Sequence, residues 1–207
     1  MNILQFITHQ TDQYSYIDSA LLALQGGCKW IQLRMKDASE AEIEATALQL
    51  KPICKQYNAT FIIDDHVQVA INVGAHGVHL GKNDMPVSEA RKLMGNKYII
   101  GGTANTFEDL KQLVIDGVDY VGLGPFRFTQ TKKNLSPILG LDGYTSVLKA
   151  CSEHRIHIPI VAIGGITIND IQDLTAIGIK QIALSSTILQ AADPVAETQL
   201  ILKTLNK

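Results

Sequence analysis

Short, almost unbroken apolar runs alternate along this chain with stretches in which apolar residues recur every three or four positions. The runs occupy 3–7, 30–33, 60–63, 77–80, 98–100, 120–124, 158–163 and 181–184. A strand with one wet face alternates apolar and polar residues, whereas one covered on both faces reads as a continuous run. Between the runs lie amphipathic stretches. In 39–57, Ile43, Ala47, Leu50 and Ile53 share one helical face, and 106–116 carries Phe107, Leu110 and Leu113. Ser39 with Glu42 forms a capping-box pattern, and Thr106 with Asp109 resembles one. Glycines mark the helix exits at Gly26, Gly27, Gly74, Gly95, Gly117 and Gly178. Eight runs, each followed by a helix, predict an α/β fold of the (β/α)₈ TIM-barrel type, one catalytic domain over residues 1–207. The competing open doubly wound sheet wants a glycine-rich fingerprint after the first strand, and Thr8-His9-Gln10 stands there instead.

Composition narrows the function classes. Hydrophobic residues make up 46% of the 207, enough for one core, and 18 basic against 20 acidic side chains leave a net charge of −2. Nucleic-acid and membrane-surface binders want a strong basic excess, so neither partner is expected. Cys28, Cys54 and Cys151 are odd in number and widely spaced, as reduced thiols of a cytoplasmic protein are. The N-terminus lacks the basic start of a signal peptide, and the longest apolar run, 158–166, is broken by Pro159 and two glycines, too short to cross a bilayer. A homo-oligomer is left open.

In a barrel the chemistry sits at the C-terminal strand ends. After the second run, Gln32, Arg34 and Lys36 point one way by strand alternation, and an amide inside an apolar run needs a partner. Asp64-Asp65-His66 follows the third run and Asp84 the fourth. Each carboxylate alone suits a helix cap; a pair on neighbouring strands suits a hard cation such as Mg²⁺, which takes one or two carboxylates plus substrate phosphates. Gly101-Gly102-Thr103 follows the fifth run. Gly164-Gly165 after the seventh and Ser185-Ser186 after the eighth occupy the frequent phosphate position of these barrels. The segment after the sixth run, Gly122 to Asn134, sets Thr129 and Thr131 before Lys132 and Lys133, a phosphate clamp or an ordinary basic loop. His79 reads as a hydrogen-bonded core residue that can line the mouth, the other histidines as structural or surface groups, and Trp30 as packing.

Gln32-Leu33-Arg34-x-Lys36, Asp65, Gly77-Val-His-Leu-Gly81 with Asp84-Met-Pro86, Gly124-Pro125, Thr129-x-Thr131-Lys132-Lys133 and Ala162-Ile-Gly-Gly-Ile166 occur in this order. Over almost its whole length the chain resembles the thiamine-phosphate synthases. The resemblance implies an alkyl transfer joining a pyrimidine-methyl pyrophosphate to a thiazole phosphate, with or without a carboxylate, and releasing pyrophosphate with Mg²⁺. It implies that Gln32, Arg34 and Lys36 hold the pyrimidine and its pyrophosphate, and that Asp65 and Asp84 ligate Mg²⁺. Thr103 stands on the pyrimidine side, where the family usually has serine. Thr129 and Thr131 face the thiazole partner, Lys132 the pyrophosphate; Gly165, Ser185 and Ser186 cradle the thiazole phosphate. Arg34, Lys36 and Lys132 are the residues expected to act on the leaving group. Asp64, on the substrate side, replaces the usual Asn, and Met35 the usual Glu. The alternatives are a thiazole tautomerase-like relative, expected to carry a catalytic His where Pro125 stands here, and a non-catalytic thiazole-phosphate-binding barrel.

Overall fold

The computed structural model describes residues 3–128 and 137–206. The eight strands are β1 (Leu4–Ile7), β2 (Trp30–Leu33), β3 (Thr60–Asp64), β4 (Gly77–Leu80), β5 (Ile99–Ala104), β6 (Tyr120–Leu123), β7 (Ile160–Ile163) and β8 (Gln181–Leu184). All pair in parallel in chain order, and β8 closes onto β1 through Leu4 and Ile182. The helices are α1 (Tyr16–Gln25), α2 (Glu40–Gln56), α3 (Val67–Val73), α4 (Val87–Met94), α5 (Phe107–Asp116), α6 (Gly140–Glu153), α7 (Ile171–Ala176), α8 (Ser186–Leu189) and α9 (Pro194–Leu205), with a 3₁₀ turn at Ile168–Asp170.

Local signals set the helix ends. Ser39 and Thr106 form complete capping boxes with Glu42 and Asp109. Asp193, which the sequence pattern did not single out, caps α9 ahead of Pro194.

Two cores follow from strand alternation. One set of strand side chains packs outward under the helices, including Phe6, Ile31, Phe61, Val78 and Ile100. The other fills the barrel: Ile7, Trp30, Ile62, Tyr120, Val161 and Ala183. Trp30 and Tyr120 meet edge to face, ring centroids 4.9 Å apart, which suits their quadrupoles. Gly101 makes room for this packing. A Cβ there would lie 2.1 Å from the Tyr120 ring.

The predicted runs match the strands, with one-residue differences at the starts of β1 and β5 and the ends of β3 and β6, and larger ones at the end of β5 and the start of β7. The fifth apolar run ends at Ile100, yet β5 continues through Gly101, Gly102 and Thr103 to Ala104, paired with β4 and β6. Glycine weakens a strand in isolation, but the neighbours fix this one. Thr103 therefore sits within the strand. β6 stops at Leu123, one residue short of the predicted end. β7 begins at Ile160, because Pro159 has no N–H to pair. The three cysteines are buried and unpaired, and among the described residues no helix is long and apolar enough to cross a membrane.

Candidate active site

On several strands the apolar filling gives way to polar groups two residues further along the inward face, while β1 and β7 keep Ile7 and Ile163 at the mouth. Gln32 follows Trp30, Asp64 follows Ile62, and Ser185 follows Ala183; His79 on β4 and Thr103 on β5 add polar groups beside them. They line a cavity of about 280 Å³ open at the C-terminal face of the barrel. Arg34, Lys36, Asp65, Asp84, Gly165 and Ser186 complete its wall. The structure thus brings together every expected site residue that it describes. Thr129, Thr131 and Lys132, with Lys133, lie outside the described residues.

The β2–β3 side is organised by charge. Gln32 Nε2 donates to Asp64 Oδ1 at 2.9 Å, and Arg34 Nε lies 3.2 Å from Asp64 Oδ2. Lys36 is exposed, and its ammonium makes no hydrogen bond or ion pair among the described residues. Asp65 is neither in the strand nor a helix cap. Its backbone is left-handed, φ +64°, held by its N–H to His79 O at 2.8 Å. A non-glycine residue in that conformation is uncommon, and such strain collects at functional positions.

Asp84 likewise does not cap α4, which starts at Val87 with Pro86 in the N-cap position and no side-chain cap. Its Oδ2 accepts from Gly81 N at 2.6 Å, which folds the β4–α4 loop and leaves the carboxyl beside Asp65. Burial first, then the hydrogen-bonded and charged Asp84 carboxyl, push the Asp65 carboxyl from its ordinary 3.8 up to about 6. Lys36 and Arg34 pull the other way and do not offset it. Two carboxyls in contact with too little positive charge nearby form a donor set that a hard divalent cation fits. No group of three or more His, Cys, Asp or Glu residues able to hold a metal occurs among the described residues, so a cation at this pair needs further oxygens from substrate and water.

Beneath the mouth runs a chain of hydrogen bonds. Gln5 Nε2 donates to Tyr120 OH at 3.3 Å, Tyr120 OH meets His79 Nδ1 at 2.9 Å, and His79 Nε2 meets Thr103 Oγ1 at 3.0 Å. His79 is both a core histidine and part of the cavity wall. Sequence reasoning missed Gln5 and Tyr120. Gln5 carried the signal that exposed Gln32, an amide inside an apolar run; Tyr120, at a strand start, carried none.

The opposite side is a glycine turn. Gly164 and Gly165 have φ of +96° and +66°, and a Cβ on Gly165 would stand 2.8 Å from Phe128 O. The turn is tied to the chain that follows the cis Gly124–Pro125 peptide. Phe126 N donates to Ile163 O and Arg127 N to Gly164 O, both at 2.9 Å. Arg127, also missed, forks onto Asp170 at 2.7 and 2.8 Å and reaches Gly165 O at 3.1 Å. Burial works against the Asp170 carboxylate, but the Arg127 and Thr167 hydrogen bonds hold it below its ordinary range. Across the turn, Ser185 Oγ is buried without a hydrogen-bond partner among the described residues. Thr187 Oγ1 donates to Ile166 O at 2.6 Å.

Comparison with known proteins finds relatives over almost the whole chain. The family model described as thiamine monophosphate synthase matches residues 4–188. A thiamine-phosphate synthase of Bacteroides fragilis is 62% identical over 199 residues, 96% of this chain and 98% of the relative. One from Flavobacterium johnsoniae is 44% identical over 206 residues, covering 100% of this chain and 95% of the relative. Among solved structures, the thiamine phosphate pyrophosphorylase of Pyrococcus furiosus superimposes with a TM-score of 0.85 at 30% identity, covering 99% of this chain and 95% of that one.

Proposed function

The chain belongs to the thiamine monophosphate synthase family, and from that premise we propose how its barrel mouth carries out the reaction. The activity is thiamine-phosphate synthesis, a transfer of an alkyl group between two small molecules. The aminopyrimidine-methyl diphosphate loses pyrophosphate, and the thiazole phosphate takes the methylene carbon.

The observation that carries the reading is the contact between Asp65 and Asp84 beside Arg34 and Lys36. A diphosphate leaving group carries several negative charges, and its departure accelerates where positive charge is already in place. Asp65 and Asp84 would hold Mg²⁺, which supplies that charge when bound. Lys36, exposed and held by no hydrogen bond or ion pair among the described residues, is placed to swing onto the diphosphate. Arg34 lies at the same wall, held through its Nε. Lys132 is assigned the same role from its motif alone.

The step is dissociative in this reading. The C–O bond breaks with its electron pair going to pyrophosphate, and the electron-rich ring carries the positive charge left on the methylene carbon. The thiazole nitrogen then forms the C–N bond with its own lone pair. No proton moves, so no general base is called for. On the thiazole side, the Gly164–Gly165 turn, Ser186 and the unpartnered Ser185 hydroxyl suit the phosphate, since a buried hydroxyl is satisfied only when something enters to bond it. Thr103 stands on the pyrimidine side, aligned by His79; Thr129 and Thr131 are assigned to the thiazole from their motif alone.

Purified protein is incubated with both substrates and Mg²⁺, and thiamine phosphate and pyrophosphate are assayed. Equimolar formation of both, lost on chelation, is expected. Pyrophosphate release without thiamine phosphate, or no reaction at all, would overturn the reading.

A further inference from the structure

Asp64 is the carboxylate of the cavity that a pyrophosphate site has least reason to keep. It is 9% exposed, at the last position of β3, one residue before Asp65. Its two oxygens are committed to two different neighbours: Oδ1 accepts from Gln32 Nε2 at 2.9 Å, and Oδ2 faces Arg34 Nε at 3.2 Å. Gln32 lies in β2 and Arg34 directly follows its last residue, and both line the cavity.

A carboxylate can only accept, so it dictates which way round the Gln32 amide sits. With Nε2 drawn to Asp64, Oε1 is the amide atom left for the cavity, and Gln32 makes no other side-chain hydrogen bond among the described residues. An uncharged amide at position 64 would not impose this, because its oxygen and nitrogen exchange by a rotation. The second contact has a different effect. Part of the Arg34 charge is neutralised within the protein, so the wall grips an incoming diphosphate less tightly than three unopposed cationic and amide groups would.

We propose that Asp64 is the positioning residue of this wall: it holds the Gln32 amide with its acceptor, Oε1, toward the cavity, selecting a ring that offers an N–H donor at that edge, and it moderates Arg34 so that pyrophosphate is released. This rests on the family reading for the identity of the two substrates. It adds to that reading a determinant of ring specificity and of product release in a residue that itself need not touch the reacting carbon. Burying a polar group that a wrong ligand leaves unpaired is what makes such selection steep.

The test is Asp64→Asn, which keeps the shape and removes the charge. Two pyrimidine-methyl diphosphates are compared, one with the exocyclic amine and one with a carbonyl in its place, and inorganic pyrophosphate is titrated as product inhibitor. The unsubstituted protein is expected to favour the amine by at least about a hundredfold in kcat/KM. In Asp64→Asn that ratio falls about tenfold or more, while pyrophosphate inhibits at severalfold lower concentration. The two changes run in opposite directions, loss of selectivity with gain of product affinity. A merely structural role weakens both, and a reduced folded fraction cancels from the ratio. An unchanged ratio, or weaker pyrophosphate inhibition, overturns the inference while leaving the family reading intact. Failure of the unsubstituted protein to couple the aminopyrimidine with thiazole phosphate overturns both.

Discussion

Replacing Asp84 with Asn separates the cost of the carboxyl pair from its use. The Asp65 carboxyl sits at about 6 instead of 3.8, so its ionised form is disfavoured in the fold. Two pH units correspond to about 3 kcal/mol at most. Asp65 is only part-buried, and water screens part of this; halving it leaves about 1.5 kcal/mol. Burial comes first among the causes and survives the substitution, so the share removed with Asp84 is about 1 kcal/mol. The sign follows from linkage: a carboxyl raised in the fold costs nothing below its unfolded value, and the cost grows as pH rises from about 4 to about 6 and stays full above that. Asn retains an acceptor for Gly81 N. Metal-free Asp84→Asn is therefore expected to melt about 2–4 °C higher than the unsubstituted protein at pH 7.5, with the difference gone near pH 4. Adding Mg²⁺ reverses the order, because mass action at a hundredfold excess over Kd contributes about 2.7 kcal/mol to the intact pair and little to the variant. Thermal melts at the two pH values, with chelator and with Mg²⁺, measure all of this. A metal-free variant that melts lower at pH 7.5, or one that gains as much from Mg²⁺ as the unsubstituted protein, would refute the assignment of Asp65 and Asp84 as one cation site.

Asp65→Ala or Lys132→Ala is expected to cut turnover by orders of magnitude with an unchanged circular dichroism spectrum; near-normal rates in steady-state assays would sink the proposed roles. Gly165→Ala forces a side chain into φ +66° and against Phe128 O, so it should cost about 1–3 kcal/mol and raise KM for the thiazole phosphate far more than for the pyrimidine diphosphate. Equal effects on the two KM values would place the glycine turn away from the thiazole subsite. Tyr144→Phe removes the hydroxyl that donates to Leu123 O and accepts from Ile163 N, stranding two buried backbone groups between β6 and β7. Urea denaturation should show a loss of about 1–3 kcal/mol.

The barrel was legible because covered strands need unbroken apolar runs and because each helix carries its own start and stop chemistry. Ser39 and Gly74 announced helix ends that the structure places where expected. What could not be read was pairing across the barrel. Nothing near Gly101 indicates that its missing side chain accommodates Tyr120, nor that Tyr120 then reaches His79. Asp65 and Asp84 were visible as candidates, but their alternative reading as caps fell only to backbone geometry, a left-handed residue in one case and a turn closed onto Gly81 in the other. Arg127 was hidden for the opposite reason. A basic residue in a polar loop looks ordinary until Asp170, 43 positions on, is folded against it.

The step of two residues from apolar filling to polar rim bears on how such a chain can change length. A single deletion between Trp30 and Gln32 would rotate the amide from the mouth into the layer beneath α1 and α2 and turn Leu33 into the cavity. No repacking of one strand corrects that, because its neighbours keep their registers. Insertions and deletions are therefore expected only at the opposite end of the barrel, in returns such as 95–98 and 153–159, where a lengthened turn leaves every inward position in phase.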